Sequence, residues 1–245
     1  MSALRQGALV KHVLVLAFDY EQMIAENHSA VPPGSGVTRP TRKDGLAARR
    51  SMKRFIDIVG AGVLIVLLAP LFALLSLLLL IDDGRPIIYR RRVVGQNGEF
   101  DAYKFRSMRR DADLILASNP ALKLEFERNF KLKNDPRVTW SGAYLRKFSL
   151  DELPQLYNVV RGQMSLVGPR MITTAETDKY GLHKELLLSF KPGLTGYWQV
   201  HGRQDVSYEE RVKMDMTYIK NWSLLMDVKI LLLTPLKVFK REGAY

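Results

Sequence analysis

Residues Ile58 to Ile81 read IVGAGVLIVLLAPLFALLSLLLLI, 24 residues without a charge. A run of this length and apolarity is long enough to enter a bilayer core. Pro70 sits at its centre. Proline removes one helical hydrogen bond, and its ring clashes with the carbonyl four residues back, so the helix is expected to kink or break there. Each arm is then about 12 residues, roughly 18 Å at 1.5 Å per residue. That falls short of a hydrocarbon core roughly 30 Å thick. The flanks carry a second constraint. Arg42, Lys43, Arg49, Arg50, Lys53 and Arg54 precede the run, and Arg85, Arg90, Arg91, Arg92, Lys104, Arg106, Arg109 and Arg110 follow it. Positive flanks tend to stay cytoplasmic. A spanning helix would export one cluster, whereas a helix that enters and returns keeps both on one side. The expectation is a re-entrant helical hairpin over residues 51–82, broken near Pro70. A kinked spanning helix is the first alternative, and a buried helix of a soluble protein is the second.

The chain around this segment has 245 residues, 47% of them hydrophobic, enough for one good-sized domain with an extension. Its formal net charge of +12 attracts nucleic acid, anionic lipid or anionic small substrates and does not separate them. There is no cysteine, so disulfides, thiolate catalysis and cysteine metal sites are excluded. His12, His28, His183 and His201 form no ligand pair at helical spacing, and a histidine zinc site is not expected. The apolar run begins well inside the chain and lacks a small-residue cleavage pattern after it, unlike a secretory signal.

Three parts follow from the pattern. Residues 1–50 read as a variable extension and linker. HVLVLAF at 12–18 is compatible with a short strand or helix, and Asn27 to Arg49 has proline, glycine and charge in linker proportions. Residues 51–82 are the hairpin. Residues 83–245 are a domain with no repeats. In it, IIYRRRVVGQNGEFDAYKFRSM predicts two strands about a QNG turn. Helical stretches are predicted over Arg110 to Lys131, Gly142 to Val160, Thr173 to Ser189 and Tyr208 to Asn221. KPGLTGYWQVHGR reads as glycine-rich loop and short strand. The terminal WSLLMDVKILLLTPLKVFKR fits either a helix in the headgroup plane or an ordinary packed one. The expected fold class is α+β, helix-rich with small strands; on the re-entrant and headgroup-plane readings it is a monotopic membrane protein with interfacial amphipathic helices.

SLDELPQL at 149–156 sets Asp151 beside Glu152. Adjacent helical residues point about 100° apart, so one carboxylate can face a reacting centre while the other orients or titrates. Pro154 suits a first helical turn, whose amide hydrogens would favour an anionic group. A plain charge pair at a helix start is the alternative. The context is a basic set in apolar or glycine/proline text: Lys104, Arg106, Arg137, Arg146, Lys147, Arg161, Arg170 and Arg203. Guanidinium forks match phosphate oxygens, although any one of these arginines is equally well read as structural. A divalent ion between a carboxylate and a diphosphate would reduce repulsion at an attacked phosphoryl centre. Lys104, Arg106, Arg137, Arg146, Gln155, Arg161, Arg170 and Arg203 are the candidate substrate- and phosphate-binding residues. Asp151 and Glu152 are the candidate catalytic pair.

YKFRSM, DPRVT, LRKFSLDELPQLYNVVRGQMSLVGPR and KPGLTGYWQVHGR occur in that order, and on them the chain from Met52 to about Phe239 resembles the bacterial sugar transferases. These are monotopic phosphoglycosyl transferases acting on polyprenyl phosphate. The resemblance is strongest to small exopolysaccharide-initiating members of galactose type. It implies a UDP-sugar donor, a Mg2+ cofactor held through Asp151, and attack by Asp151 on the sugar-bearing phosphate with release of UMP. The phosphosugar then passes to undecaprenyl phosphate. Glu152 supports the site or handles the proton, and Lys104, Arg146 and Arg170 bind phosphates. The implied sugar is galactose, with glucose or an N-acetylated sugar as the alternative.

The same resemblance implies inner-membrane lipid as a partner, with the catalytic domain on the cytoplasmic face of the bacterial inner membrane. A homodimer is left open and nucleic acid is not expected, because zinc-finger spacing and RNA-binding aromatic motifs are missing. The remote alternative is a non-catalytic, membrane-tethered binder of anionic lipid or nucleic acid. Two positions depart from the family pattern. Ala69-Pro70 replaces Ser-Pro, which removes a hydroxyl able to satisfy a freed carbonyl, and Met171 follows Arg170 where proline is usual.

Overall fold

The computed structural model describes residues 42–239 except 130–131, 133–134 and 203–205. HVLVLAF at 12–18, most of the 1–50 extension and Arg203 lie outside the described residues. Helix α1 (Arg42–Leu67) starts inside the stretch that composition assigns to linker. After Pro40 the text turns to alanine, leucine and arginine, which are good helix formers. A break at Leu68 leads to α2 (Ala69–Asp82), with Pro70 in its first turn. There the missing N–H costs nothing and the fixed φ is already helical. The two helices meet at a 61° bend. Among the described residues no single helix is long and apolar enough to cross a membrane, and the bent pair meets that test only jointly.

One side of this pair is bound to the rest of the fold. Leu75 and Leu79 of α2 are buried with Phe105 and Leu145. Each fully buried side chain of this kind contributes about 1.5–3 kcal/mol. Ala61 of α1 joins the main core with Met164, Leu166 and Val167. The other side exposes Val63, Val66, Leu67, Leu74, Leu77 and Ile81. Three charged side chains of α1 hold it in place. Lys53 Nζ donates to Val167 O at 2.8 Å, and Arg54 caps two helix-end carbonyls, Val159 O at 2.6 Å and Val160 O at 2.7 Å. Asp57 accepts from Ser165 Oγ at 3.0 Å and Leu166 N at 2.9 Å.

Strands β1 (Ile88–Gly95) and β2 (Gly98–Phe105) form the antiparallel hairpin that the QNG turn predicts, with Gly98 at φ +99°. Arg110 to Lys131 is not one helix. Asn119-Pro120 divides it into α3 (Ala112–Ser118) and α4 (Pro120–Asn129), because the residue before proline avoids the helical region. Gly142 to Val160 is likewise three pieces: α5 (Trp140–Lys147), a 3-10 turn over Leu150–Glu152, and α6 (Gln155–Val160). Ser149, at φ +53°, makes the reversal between the first two.

Strand β3 (Ser165–Val167) pairs in parallel with β4 (Gly193–Thr195), Ser165 beside Gly193 and Val167 beside Thr195. The backbones approach so closely here that a Cβ on Gly193 would run into the Gly168 amide. Between the strands lie a 3-10 segment over Thr174–His183, interrupted at Gly181, and α7 (Lys184–Leu188). After β4 comes a one-turn helix, α8 (Tyr197–His201), where loop is expected from the glycines. Helix α9 (Tyr208–Lys220) carries a full capping box at Ser207 and Glu210. Helix α10 (Leu224–Phe239) buries Asp227 and Ile230 and exposes Leu225, Val228, Leu232 and Leu236, so one face packs while the other stays bare.

Candidate active site

The site begins with backbone registration. Asn158 on α6 accepts from Tyr103 N at 3.0 Å and donates to Asp101 O at 2.8 Å and to Gln163 Oε1 at 2.9 Å. This buried amide fixes β2 against the helix that follows the acidic turn. Lys104, next to Tyr103, therefore reaches both acids. Its Nζ donates to Glu152 Oε1 at 2.6 Å and lies 4.0 Å from Asp151 Oδ2. The left-handed conformation of Ser149 is the one positive φ among described non-glycine residues. It turns the chain sharply so that Asp151, 8% exposed, faces inward. Backbone strain of this kind costs about 1–3 kcal/mol and concentrates at functional sites.

The two carboxylates are pushed apart electrostatically. Burial raises Asp151 above the usual aspartate value, Lys104 opposes this, and the charge of Glu152 adds to it. Burial works the same way on Glu152, but Lys104, with further help from Arg170 and Arg91, holds it below the usual glutamate value. A proton shared by the pair therefore resides on Asp151. Arg146, whose Nε donates to Ser107 Oγ at 2.9 Å, contributes its charge to Asp151. That hydrogen bond depends on Gly142, where a Cβ would strike the Ser107 carbonyl.

The remaining expected residues divide. Lys104, Arg146 and Arg170 act on the acidic pair. Arg106 is buried and donates to the carbonyls of Asp83 and Gly84 at 2.8 and 2.9 Å, tying β2 to the end of α2. Arg137 makes a two-pronged pair with Asp135, at 2.8 Å on each side, over the Phe126 ring. Gln155 is buried with Nε2 unpartnered. Arg161 is exposed, over the Tyr157 ring. Arg91 is missing from the expected set, although strand alternation puts it on the inner side with Val93 while Arg90 and Arg92 face out. Tyr197, Trp198 and His201 read from the sequence as a plausible substrate loop or as packing beneath one, whereas Arg211 is outside the expected set. The arginine belongs to an EER segment that reads as a polar helix face, yet its guanidinium lies 5.0 Å from the Trp198 ring centre.

Among the described residues no three histidines, cysteines or carboxylates converge as a metal cage. A buried aspartate beside Lys104 and Glu152 still fits magnesium, which takes one or two protein carboxylates and fills its other positions with water and substrate phosphate. Beside the turn runs an apolar groove of about 1030 Å³, lined by Phe72, Leu80, Ile88, Tyr103, Leu153 and Pro154 together with Arg85 and Arg90.

Comparison with known proteins adds to this geometry. The family described as bacterial sugar transferase matches residues 48–241. The chain belongs to that family. This sugar transferase is 48% identical over 200 residues to a UDP-galactose-lipid carrier transferase of Erwinia amylovora, covering 80% of this chain and 42% of that protein. It is 46% identical over 210 residues to an undecaprenyl-phosphate galactose phosphotransferase of Salmonella typhimurium, covering 83% and 44%. It therefore spans less than half the length of these two relatives. With the exopolysaccharide production protein ExoY of Rhizobium meliloti it shares 43% identity over 220 residues, covering 88% of this chain and 94% of that protein.

Proposed function

We propose that this sugar transferase moves a hexose 1-phosphate, galactose 1-phosphate in the first instance, from a UDP-sugar to undecaprenyl phosphate and so initiates exopolysaccharide or glycan assembly. The observation that carries the reading is Lys104 set between two carboxylates of opposite pKa tendency. An ionised Asp151 attacks the sugar-bearing phosphorus. A P–O bond to the departing UMP breaks, and the phosphosugar stays on the carboxylate as an acyl phosphate. A phosphate oxygen of undecaprenyl phosphate then attacks the same phosphorus, the Asp151 carboxylate leaves, and undecaprenyl-diphospho-sugar is released. Lys104 and Arg146 oppose the burial that favours the protonated form of Asp151, and Glu152 takes up or returns the proton at the acceptor step. Bound magnesium, held by Asp151, would supply charge neutralisation on the diphosphate. The apolar groove next to Leu153 and Pro154 suits the first units of a lipid chain.

Galactose comes first because two relatives at 46–48% identity are named for it. The supporting setting is a bacterial inner membrane with the site on its cytoplasmic side, where the bent α1–α2 pair would enter and return. The test uses donor alone. Intact mass of the purified chain with UDP-galactose and magnesium is expected to gain one hexose phosphate. Asp151→Asn is expected to lose the adduct and at least about 100-fold in rate. Normal turnover by that variant, or full rate after exhaustive chelation, counts against the corresponding assignment. UMP release from a panel of UDP-sugars decides the sugar.

A further inference from the structure

Nine buried side-chain polar atoms lack a hydrogen-bond partner among the described residues, and six of them fall on one group: Arg170 Nε, Glu176 Oε1, Trp198 Nε1, Gln199 Oε1, Tyr208 OH and Arg211 Nε. Folded proteins pair nearly all such atoms, so a concentration of orphans in one place points to a missing ligand. Arg170, Trp198, Tyr208 and Arg211 are contiguous, the charge of Glu176 acts on Tyr208 and Arg211, and Gln199 follows Trp198 in α8. The guanidiniums of Arg170 and Arg211 each lie 5.0 Å from the centre of the Trp198 ring, and Arg211 lies 5.5 Å from that of Tyr208. Glu176 is wholly buried, with its other oxygen satisfied by Thr173 N at 2.8 Å and Thr173 Oγ1 at 2.9 Å. The orphaned atoms are themselves covered, while the remaining five residues are partly exposed, so the group lies just beneath the surface. It also reaches the acidic turn, because Arg170 acts on Glu152.

The inventory of orphans selects the chemistry. Three N–H groups need acceptors, two oxygens need donors, and one hydroxyl takes either. Inorganic phosphate at neutral pH offers acceptors and almost nothing for Glu176 and Gln199. A nucleotide offers both, through phosphate oxygens on one side and ribose hydroxyls with a base N–H on the other. The apolar groove starts at Leu153 and Pro154, and none of the six residues lines it.

We propose that Arg170, Glu176, Trp198, Gln199, Tyr208 and Arg211 hold the nucleoside monophosphate half of the donor, the part that leaves. The proposal rests on the UDP-sugar reading above and adds the place and residues of nucleotide recognition. Arg170 and Arg211 donate to phosphate oxygens, and Glu176 and Gln199 accept from ribose or base. The polar group thus takes the nucleotide and the apolar groove takes the lipid, with the reacting turn between the two.

The experiment titrates the full chain in nanodiscs containing magnesium with UMP and, separately, with inorganic phosphate. Wild type is expected to bind UMP at least tenfold more tightly than phosphate. Arg211→Gln, Glu176→Gln and Trp198→Phe are each expected to weaken UMP binding and raise the donor KM tenfold or more, with kcat and the lipid KM within threefold. Tyr208→Phe removes a single oxygen and keeps the ring, so it reports even where a larger change unfolds the chain. It is expected to raise the UMP Kd threefold or more. UMP affinity within twofold of wild type in the folded variants overturns the placement and leaves the donor reading standing. Failure of wild type to bind UMP at all overturns the donor reading itself.

Discussion

Lys53 Nζ sits 2.7 Å from Asp227 Oδ2, joining residues 174 positions apart in the chain. The pair is largely buried, with side chains 16% and 9% exposed. Asp227 also accepts from Tyr218 OH at 2.7 Å and Trp222 Nε1 at 3.1 Å. Removing one charge from such a pair leaves the other stranded. Lys53→Met is expected to lower unfolding stability by about 3 kcal/mol. The double variant Lys53→Met with Asp227→Asn is expected to lose less than the sum of the single changes. Strict additivity in a thermal double-mutant cycle would show that the two residues act independently.

The acidic pair predicts a pH profile. Asp151 must lose its proton to attack, and its affinity for that proton is raised by burial. The acid limb of kcat should therefore lie above the ordinary aspartate range, with rate rising as pH rises through it. Lys104→Met removes the charge that opposes this shift, so its limb should move further toward neutrality as the maximal rate falls. A limb that stays in place in Lys104→Met would separate Lys104 from the ionisation of Asp151.

Asp215 makes a different pH prediction, one about stability. Burial raises its carboxyl from 3.8 to about 6, against the hydrogen bonds from Tyr180 OH and Arg170 N. The folded state then holds the proton more tightly than the unfolded state. Its contribution is fully present below pH 3.8 and is lost as pH climbs to about 6. Asp215→Asn keeps an oxygen for Arg170 N, and the Tyr180 hydroxyl can turn to accept from the new amide. The variant should lose this downward trend between those two pH values and gain stability at pH 7. Thermal scans across that range check it, and an unaltered slope in Asp215→Asn would place the titration elsewhere.

Topology is testable because the chain has no cysteine. Single cysteines at Ser51 and Arg85 flank the apolar run Ile58 to Ile81 at exposed positions. Gly84 is the poorer choice, since it adopts φ +68° against the Arg110 side chain. Neither site should label from outside intact cells with an impermeant thiol reagent, and both should label after lysis. Labelling of one site alone from outside would mean that the pair spans the bilayer.

How much of this was legible in the sequence depends on the range of the interaction. Pro70 announces the bend and QNG announces the β1–β2 turn, because a proline ring and a tight turn act within a few residues. Asp151 and Glu152 are legible as a pair, and their inequality is not. It arises from Lys104, 48 residues away from Glu152 and brought in by Asn158. Nor does the sequence show that Arg106 meets the carbonyls of Asp83 and Gly84 or that Arg137 meets Asp135, since a guanidinium suits a carbonyl, an aspartate or a phosphate. The division of Gly142 to Val160 into three pieces turns on Ser149, and serine carries no signal for a left-handed backbone. Nothing in EER marks Arg211 as the neighbour of Trp198.

Asp57 has a consequence for the order in which the molecule is made. Its carboxylate immediately precedes the apolar run, is 3% exposed, and depends on Ser165 and on the Leu166 amide 109 residues later. At about 5–20 residues per second, a ribosome takes roughly 5–20 s to deliver those partners. For that interval α1 carries an acid without its folded-state partners at the start of the apolar run. Water must therefore keep access to the base of α1 until Ser165 and Leu166 arrive, so α1 completes its packing only after the later chain is made.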